Sequence, residues 1–287
     1  MKKNEALLLV LAWLSLGGAT ASAPRTILFV GNSFTYADKS PVMRYRPDSV
    51  TDLNRDGIGG VPALFKAFAD QAGLDYAVSL ETAPRIGLDF HLREKRALID
   101  RRWDVVVLQG YSTLDRDKPG DPTAHIASAK QLAEMVTRAN PKVDVELVST
   151  WTRADLTYPP DEHWSGKPVA AMATDLRAAS ELARRATPDI DGIVPVGEAW
   201  NRAMATGVAD PDPYDGLAYG QVDLWTWDQY HASAYGYYLE ALMVFGRVTG
   251  VDPRVLGERE RAANDLGLEP RVVKALQQIA FDQLQAG

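Results

Sequence analysis

The chain has 287 residues, is 46% hydrophobic and 24% charged, and carries a formal net charge of −7 with no cysteine. That is the composition of a folded globular protein. It excludes a disulfide scaffold and a lipid-attachment cysteine, and it argues against a nucleic-acid partner, which needs a basic surface.

At the N-terminus, Lys2 and Lys3 precede an apolar run over 6–16 and the small residues Ala19-Thr20-Ala21-Ser22-Ala23. A positive start, a short apolar core and an Ala-x-Ala-like site predict a secretory signal over 1–23. An uncleaved anchor is the alternative, but the run is short for a bilayer span. A secreted or periplasmic location follows, with no stable membrane association after cleavage. Residues 24–287 are expected to form one domain, whose oligomeric state stays open.

Five apolar runs are expected to be strands, at 26–30, 76–80, 104–108, 145–149 and 193–196. The first and third are almost unbroken in aliphatic residues, the mark of strands covered on both faces by helices. Amphipathic stretches over 61–72, 88–101, 123–139, 170–186, 228–249 and 270–284 predict helices. Alternating strand and helix implies right-handed crossovers and a three-layer α/β domain. Two segments interrupt the alternation: a polar insertion over 37–60 and a loop over 152–167. Both follow strands, so both are expected beside the crevice at the carboxyl ends of the sheet.

Ser33, in Gly31-Asn32-Ser33-Phe34-Thr35, lies just past the first strand. A serine hydroxyl needs a base to act as a nucleophile. His231, in Asp228-Gln229-Tyr230-His231, is the candidate base, and Asp228 can fix its tautomer. Taken singly, each motif also reads as a helix-entry turn or a capping pair. Their order, at opposite ends of an α/β chain, favours catalysis.

The first and last of these blocks resemble those of the SGNH (GDSL-type) hydrolases, in the subgroup with Gln directly after the third strand. The resemblance implies a flavodoxin-like fold with a five-stranded parallel sheet in the order 2-1-3-4-5. It implies ester hydrolysis with Ser33 as nucleophile, His231 as general base and acid, and Asp228 as its partner. It also implies an oxyanion hole from the Ser33 backbone, Gly87 and Gln109. Gly87 is the only glycine in its block, although a second register would set Arg85 in its place. Gln109 stands where the family usually has asparagine, with Ser112 as the alternative donor.

No cofactor is required by this chemistry. Asp52, Asn54 and Asp56, followed by Gly57, match the first half of a calcium loop, but Ala63 stands where the closing glutamate belongs. A calcium site completed by another segment and a simple polar turn are both open. His91 reads as a partly buried helix residue, His125 as an exposed residue near a helix start, and His163, in Asp161-Glu162-His163-Trp164, as a loop residue in preference to a metal ligand. Several of Trp151, Trp164, Trp225 and Trp227 are expected to line the crevice, a surface suited to sugar rings, with core packing an equal alternative for any one of them. The resulting expectation is an exported carboxylic-ester hydrolase acting on a small-molecule or polysaccharide ester, with short-acyl esters of carbohydrate as the favoured substrate. A lipase-like or polyester-cleaving esterase and a non-catalytic glycan-binding protein are the alternatives.

Overall fold

A computed structural model describes residues 23–286; all but the last position of the expected signal segment lies outside them. Six strands form one sheet: β1 (Arg25–Gly31), β2 (Thr51–Asp52), β3 (Tyr76–Thr82), β4 (Val105–Gln109), β5 (Asp144–Ser149) and β6 (Gly192–Pro195). Their order is β2-β3-β1-β4-β5-β6, and every pairing is parallel. The expected five strands and their order are present. The sixth strand, β2, is a two-residue edge strand contributed by the insertion.

Nine helices cover the sheet among the described residues: α1 (Gly60–Gln71), α2 (Leu88–Glu94), α3 (Arg96–Ile99), α4 (Thr123–Ala139), α5 (Ala170–Ala186), α6 (Val196–Ala205), α7 (Ala234–Thr249), α8 (Arg261–Asp265) and α9 (Pro270–Ala286). The strand alternation divides the core into two layers. Ile27 and Phe29 of β1 face a cluster that includes Leu64 of α1, Trp200 of α6, Leu242 of α7 and Leu276 of α9. Leu28 and Val30 face Leu88 of α2, Ile99 of α3, and Leu132 and Val136 of α4. Each such fully buried aliphatic or aromatic side chain contributes roughly 1.5–3 kcal/mol.

Two helix expectations change. The stretch 88–101 is broken at Lys95, whose backbone (φ −118, ψ 8) leaves the helical region. The stretch 228–249 begins its helix only at Ala234, because the Ser233 side chain accepts the Gly236 N–H and caps α7 there. Helix α6 was not expected; Trp200 and Met204 anchor its inner face.

The insertion is tied to the body of the protein. Val42 and Tyr45 are buried in the core. The Tyr45 hydroxyl donates to Asp265 (3.0 Å) and Arg46 pairs with the same carboxylate (2.6 Å). No helix among the described residues is long and apolar enough to cross a membrane.

Candidate active site

Ser33 follows directly on β1, at the carboxyl edge of the sheet. The chain after it closes a tight turn, with Tyr36 N–H donating to Asn32 O (3.0 Å) and Asp38 N–H to Ser33 O (2.9 Å). Ala37 takes the left-handed conformation (φ 64) that such a six-residue closure demands. Gly31 is required by crowding: a Cβ there would lie 2.1 Å from Thr35 Oγ1 and 2.8 Å from Gln109 Oε1. The Tyr237 hydroxyl, reaching out of α7, lies 3.3 Å from both Ser33 O and Asp38 O. Burial pushes its pKa well up, so it stays a neutral donor.

His231 sits on the loop before α7. Thr226 N–H donates to His231 O (2.8 Å), and Trp225 bridges Ala232, so the loop is closed at its neck. Inside it, Asp228 Oδ1 accepts the N–H groups of Tyr230 (3.1 Å) and His231 (2.9 Å). Asp228 Oδ2 lies 2.7 Å from His231 Nδ1. Burial would raise the Asp228 pKa, but the bonds from the imidazole and from the backbone outweigh it and hold the carboxyl below its ordinary value. An ionised Asp228 accepts only, so Nδ1 carries the proton and Nε2 is left as the basic lone pair. Nε2 has no hydrogen-bond partner among the described residues. No hydrogen bond joins it to Ser33 Oγ in this structure, a contact that commonly tightens only once substrate is bound. The histidine loop nevertheless packs on the serine turn, with the Phe34 and His231 rings edge to face at 5.9 Å.

Asp38 is a site residue that sequence reasoning missed. Its Oδ2 lies 3.9 Å from His231 Nε2. It belongs to no motif and shows no periodicity, and it reaches the imidazole only because the turn after Ser33 folds back.

The three oxyanion expectations meet different surroundings. The Ser33 and Gly87 N–H groups donate to no partner among the described residues. Gly87 precedes α2, and its built Cβ would touch Tyr111 at 3.5 Å. Arg85 is an exposed residue in the left-handed region (φ 58), whereas Gly87 is half-buried.

Gln109 is placed otherwise than expected. Its carbonyl accepts Asn32 N–H (3.0 Å) and the Thr35 hydroxyl (3.0 Å), while its amide nitrogen donates to Gly110 O. The amide cannot be turned over, because NH₂ would then face the Asn32 N–H and oxygen would face oxygen. Gln109 therefore fastens the turn that carries Ser33 to β4. Ser112, the alternative donor, is buried with its hydroxyl 3.4 Å from Arg153. Asn32 completes the framework: its side-chain NH₂ donates to Ile86 O (2.9 Å) and Gly110 O (3.0 Å).

Behind the turn lies a buried polar pair. His91 and Glu81 are both fully buried and hydrogen-bonded through Nδ1, and His91 Nε2 donates to Gly31 O at 2.9 Å. A carbonyl can only accept, so Nε2 is protonated. His91, expected to be a helix residue of no special role, thus holds the last residue of β1.

The tryptophans lie deeper than expected. Trp151, Trp164 and Trp225 are buried in the core, and only Trp227 is exposed (72%). Trp151 stacks on Phe34 (4.0 Å between ring centres) and on Trp200 (4.7 Å), and its indole N–H donates to Tyr230 O. The column supports the serine turn and the histidine loop from within.

The segment with the calcium-loop pattern, Asp52 to Gly57, is held by its own hydrogen bonds. Asp52 spends its carboxylate on the N–H groups of Asn54, Asp56 and Ile58, which makes the segment a self-capped turn. Asn54 accepts the Lys95 ammonium (2.9 Å), a cation already in place. Among the described residues no group of three or more acidic, histidine or cysteine side chains could hold a metal ion.

No protein-family model and no curated protein match the sequence. Solved structures do. A DUF4886 family protein from Bacteroides uniformis superposes with a TM-score of 0.61 at 17% identity, over 91% of this chain and 95% of that one. A protein from Slackia heliotrinireducens described as an SGNH hydrolase gives 0.50 at 20% identity, over 78% and 99%. The fold is that of the SGNH hydrolases. A protein from Parabacteroides merdae described as a GDSL-like lipase gives 0.56 at 18% identity, over 79% and 96%. In the SGNH fold of this chain, Ser33 and the Asp228–His231 pair stand on the first strand's exit and on the loop before α7.

Proposed function

We propose that this protein is an exported serine esterase that hydrolyses carboxylic esters, with short-acyl esters of carbohydrate as its substrates. One observation carries the reading. Asp228 fixes the tautomer of His231 and leaves an unpartnered, buried Nε2 on a loop that packs against the residue after Ser33. Ser33 Oγ attacks the ester carbonyl carbon and passes its proton to Nε2. Asp228 stabilises the imidazolium, and Asp38 adds a second carboxylate near Nε2. The N–H groups of Ser33 and Gly87 hold the oxyanion. Collapse breaks the bond to the alcohol oxygen, which takes the proton from Nε2. A water molecule then gives a proton to Nε2 and attacks the acyl-serine; the bond to Ser33 Oγ breaks, Oγ takes that proton from Nε2, and the acid is released.

Export rests on the N-terminal segment. The lipase-like alternative expects an apolar crevice, whereas the cavity beside Gly87 is lined by arginines and aspartates as well as apolar residues. The test is hydrolysis of p-nitrophenyl acetate by the parent and by Ser33→Ala. A loss of at least ~10³-fold in kcat is expected, with an unchanged circular dichroism spectrum. Equal rates would overturn the nucleophile assignment.

A further inference from the structure

A cavity of about 410 Å³ opens between the β3–α2 connection and the start of α4. That volume lies in the range of roughly 300–1,000 Å³ usual for small-molecule sites. Its wall includes Ile86 and Gly87. Ile86 O is bonded to the side chain of Asn32, the residue before Ser33, so the wall is joined to the nucleophile turn.

The floor of the cavity holds a buried side chain with nothing to bind. His125 is 5% exposed, and neither ring nitrogen has a hydrogen-bond partner among the described residues. Its ring occupies the space left by Gly110, where a Cβ would lie 2.4 Å from Nδ1. On its far side a space of only about 10 Å³ contains Ser149, whose hydroxyl is also unpartnered. Burial pushes the His125 pKa down to about 4, so the ring is neutral near pH 7 and offers one N–H and one lone pair. Both nitrogens are closed to solvent as the ring stands, so a hydroxyl group, itself both donor and acceptor, satisfies one of them once the ring turns toward the cavity.

The rest of the lining has the same mixed character. Phe90 and Tyr111 supply aromatic surface, and arginines and aspartates stand in equal number around them: Arg85, Arg93 and Arg116 against Asp89, Asp115 and Asp117. The formal charges cancel, so the cavity does not select an anion. Fork-shaped donors and acceptors on both sides of aromatic surface suit vicinal hydroxyls on a ring.

We propose that this cavity is the subsite for a neutral sugar ring of the ester substrate, and that His125 recognises one of its hydroxyls. The proposal rests on the esterase reading for its place in turnover, but it is tested by binding alone. The protein carries four histidines, so the imidazole resonances of the full chain are few enough to assign. In Ser33→Ala protein, titration with the methyl glycosides of glucose, xylose and galactose is followed by imidazole nitrogen chemical shifts, with sodium acetate and sodium phosphate as controls. At least one glycoside is expected to shift the His125 signals. Loss of one net hydrogen bond in His125→Phe should weaken that glycoside about tenfold. Arg116→Ala, a change at an exposed position, should weaken it by a similar factor and guards against a misfolded His125 variant. A cavity that responds to none of the glycosides, or to acetate and phosphate only, overturns the proposal. So does unchanged affinity in both variants. Failure of the esterase reading would appear separately, as p-nitrophenyl acetate hydrolysis that survives Ser33→Ala.

Discussion

The Glu81–His91 pair offers the sharpest test of how the nucleophile is held. Both side chains are fully buried, and their hydrogen bonds run from Asn54 through Glu81 and His91 to Gly31 O. Glu81→Ala leaves His91 Nδ1 without a partner in a fully buried site, and frees one N–H of the half-buried Asn54. Removing one member of a buried pair costs about 3–5 kcal/mol. At roughly 2–4 °C per kcal/mol for a domain somewhat smaller than this one, the melting temperature should fall by about 10 °C. Glu81→Gln behaves differently. Its NH₂ can donate to Nδ1 of a neutral His91 while its oxygen still accepts from Asn54, and the imidazole keeps its Nε2–H on Gly31 O. A cost near ~1 kcal/mol is expected for the glutamine, since every hydrogen bond persists. Urea unfolding followed by circular dichroism measures both variants. The kcat of Glu81→Ala on p-nitrophenyl acetate should drop as well, because Gly31 loses its anchor. Equal stabilities for the alanine and glutamine variants would refute the argument, since the pair would then hold nothing that alanine fails to hold.

Asp228→Asn should lower kcat by about 10²–10⁴-fold with little structural change. Its oxygen still accepts the Tyr230 and His231 N–H groups, which turns NH₂ toward Nδ1 and moves the ring proton to Nε2; a drop under tenfold would count against the tautomer argument. Burial raises the Glu146 pKa to about 7 against the opposing pull of its bond to Arg247. A raised carboxylate pKa gives stability that is complete below about pH 4.5 and is lost as pH rises through 7, amounting to roughly 3 kcal/mol. Glu146→Gln should therefore gain stability over the parent above pH 7 and not at pH 4; a stability difference that is flat with pH would sink that account.

Much of the fold was legible because buried parallel strands announce themselves. The runs at 26–30 and 104–108 have no polar face, and the helices between them keep their period. The edge strand β2 was not legible, since two residues, Thr51 and Asp52, form no pattern. Helix α6 was missed because the apolar run of β6 passes straight into it at Val196. The Ser33 block and the Asp228–His231 pair stand out by spacing and order, since each is a short local motif. Asp38, His91 and His125 do not stand out, because each gains its surroundings from residues far away in the chain. Gln109 shows the reverse limit: its position at the end of β4 was apparent, but which way its amide points is decided by Asn32 and Gly110. Core and crevice could not be told apart for the tryptophans, because composition records that an aromatic is present and not which face of the sheet its neighbours cover.

The Phe34–Trp151–Trp200 column also makes the site observable. Trp151 and Trp200 lie nearly parallel, with 5° between their rings. Phe34 adjoins Ser33, and Trp151 is bonded to the residue before His231. Two indoles stacked at 4.7 Å couple their electronic transitions. A change in the packing of the serine turn or the histidine loop thus alters near-ultraviolet absorption and emission. On the proposed esterase mechanism, acylation of Ser33 is expected to change this emission, and stopped-flow fluorescence with p-nitrophenyl acetate would time it without a label.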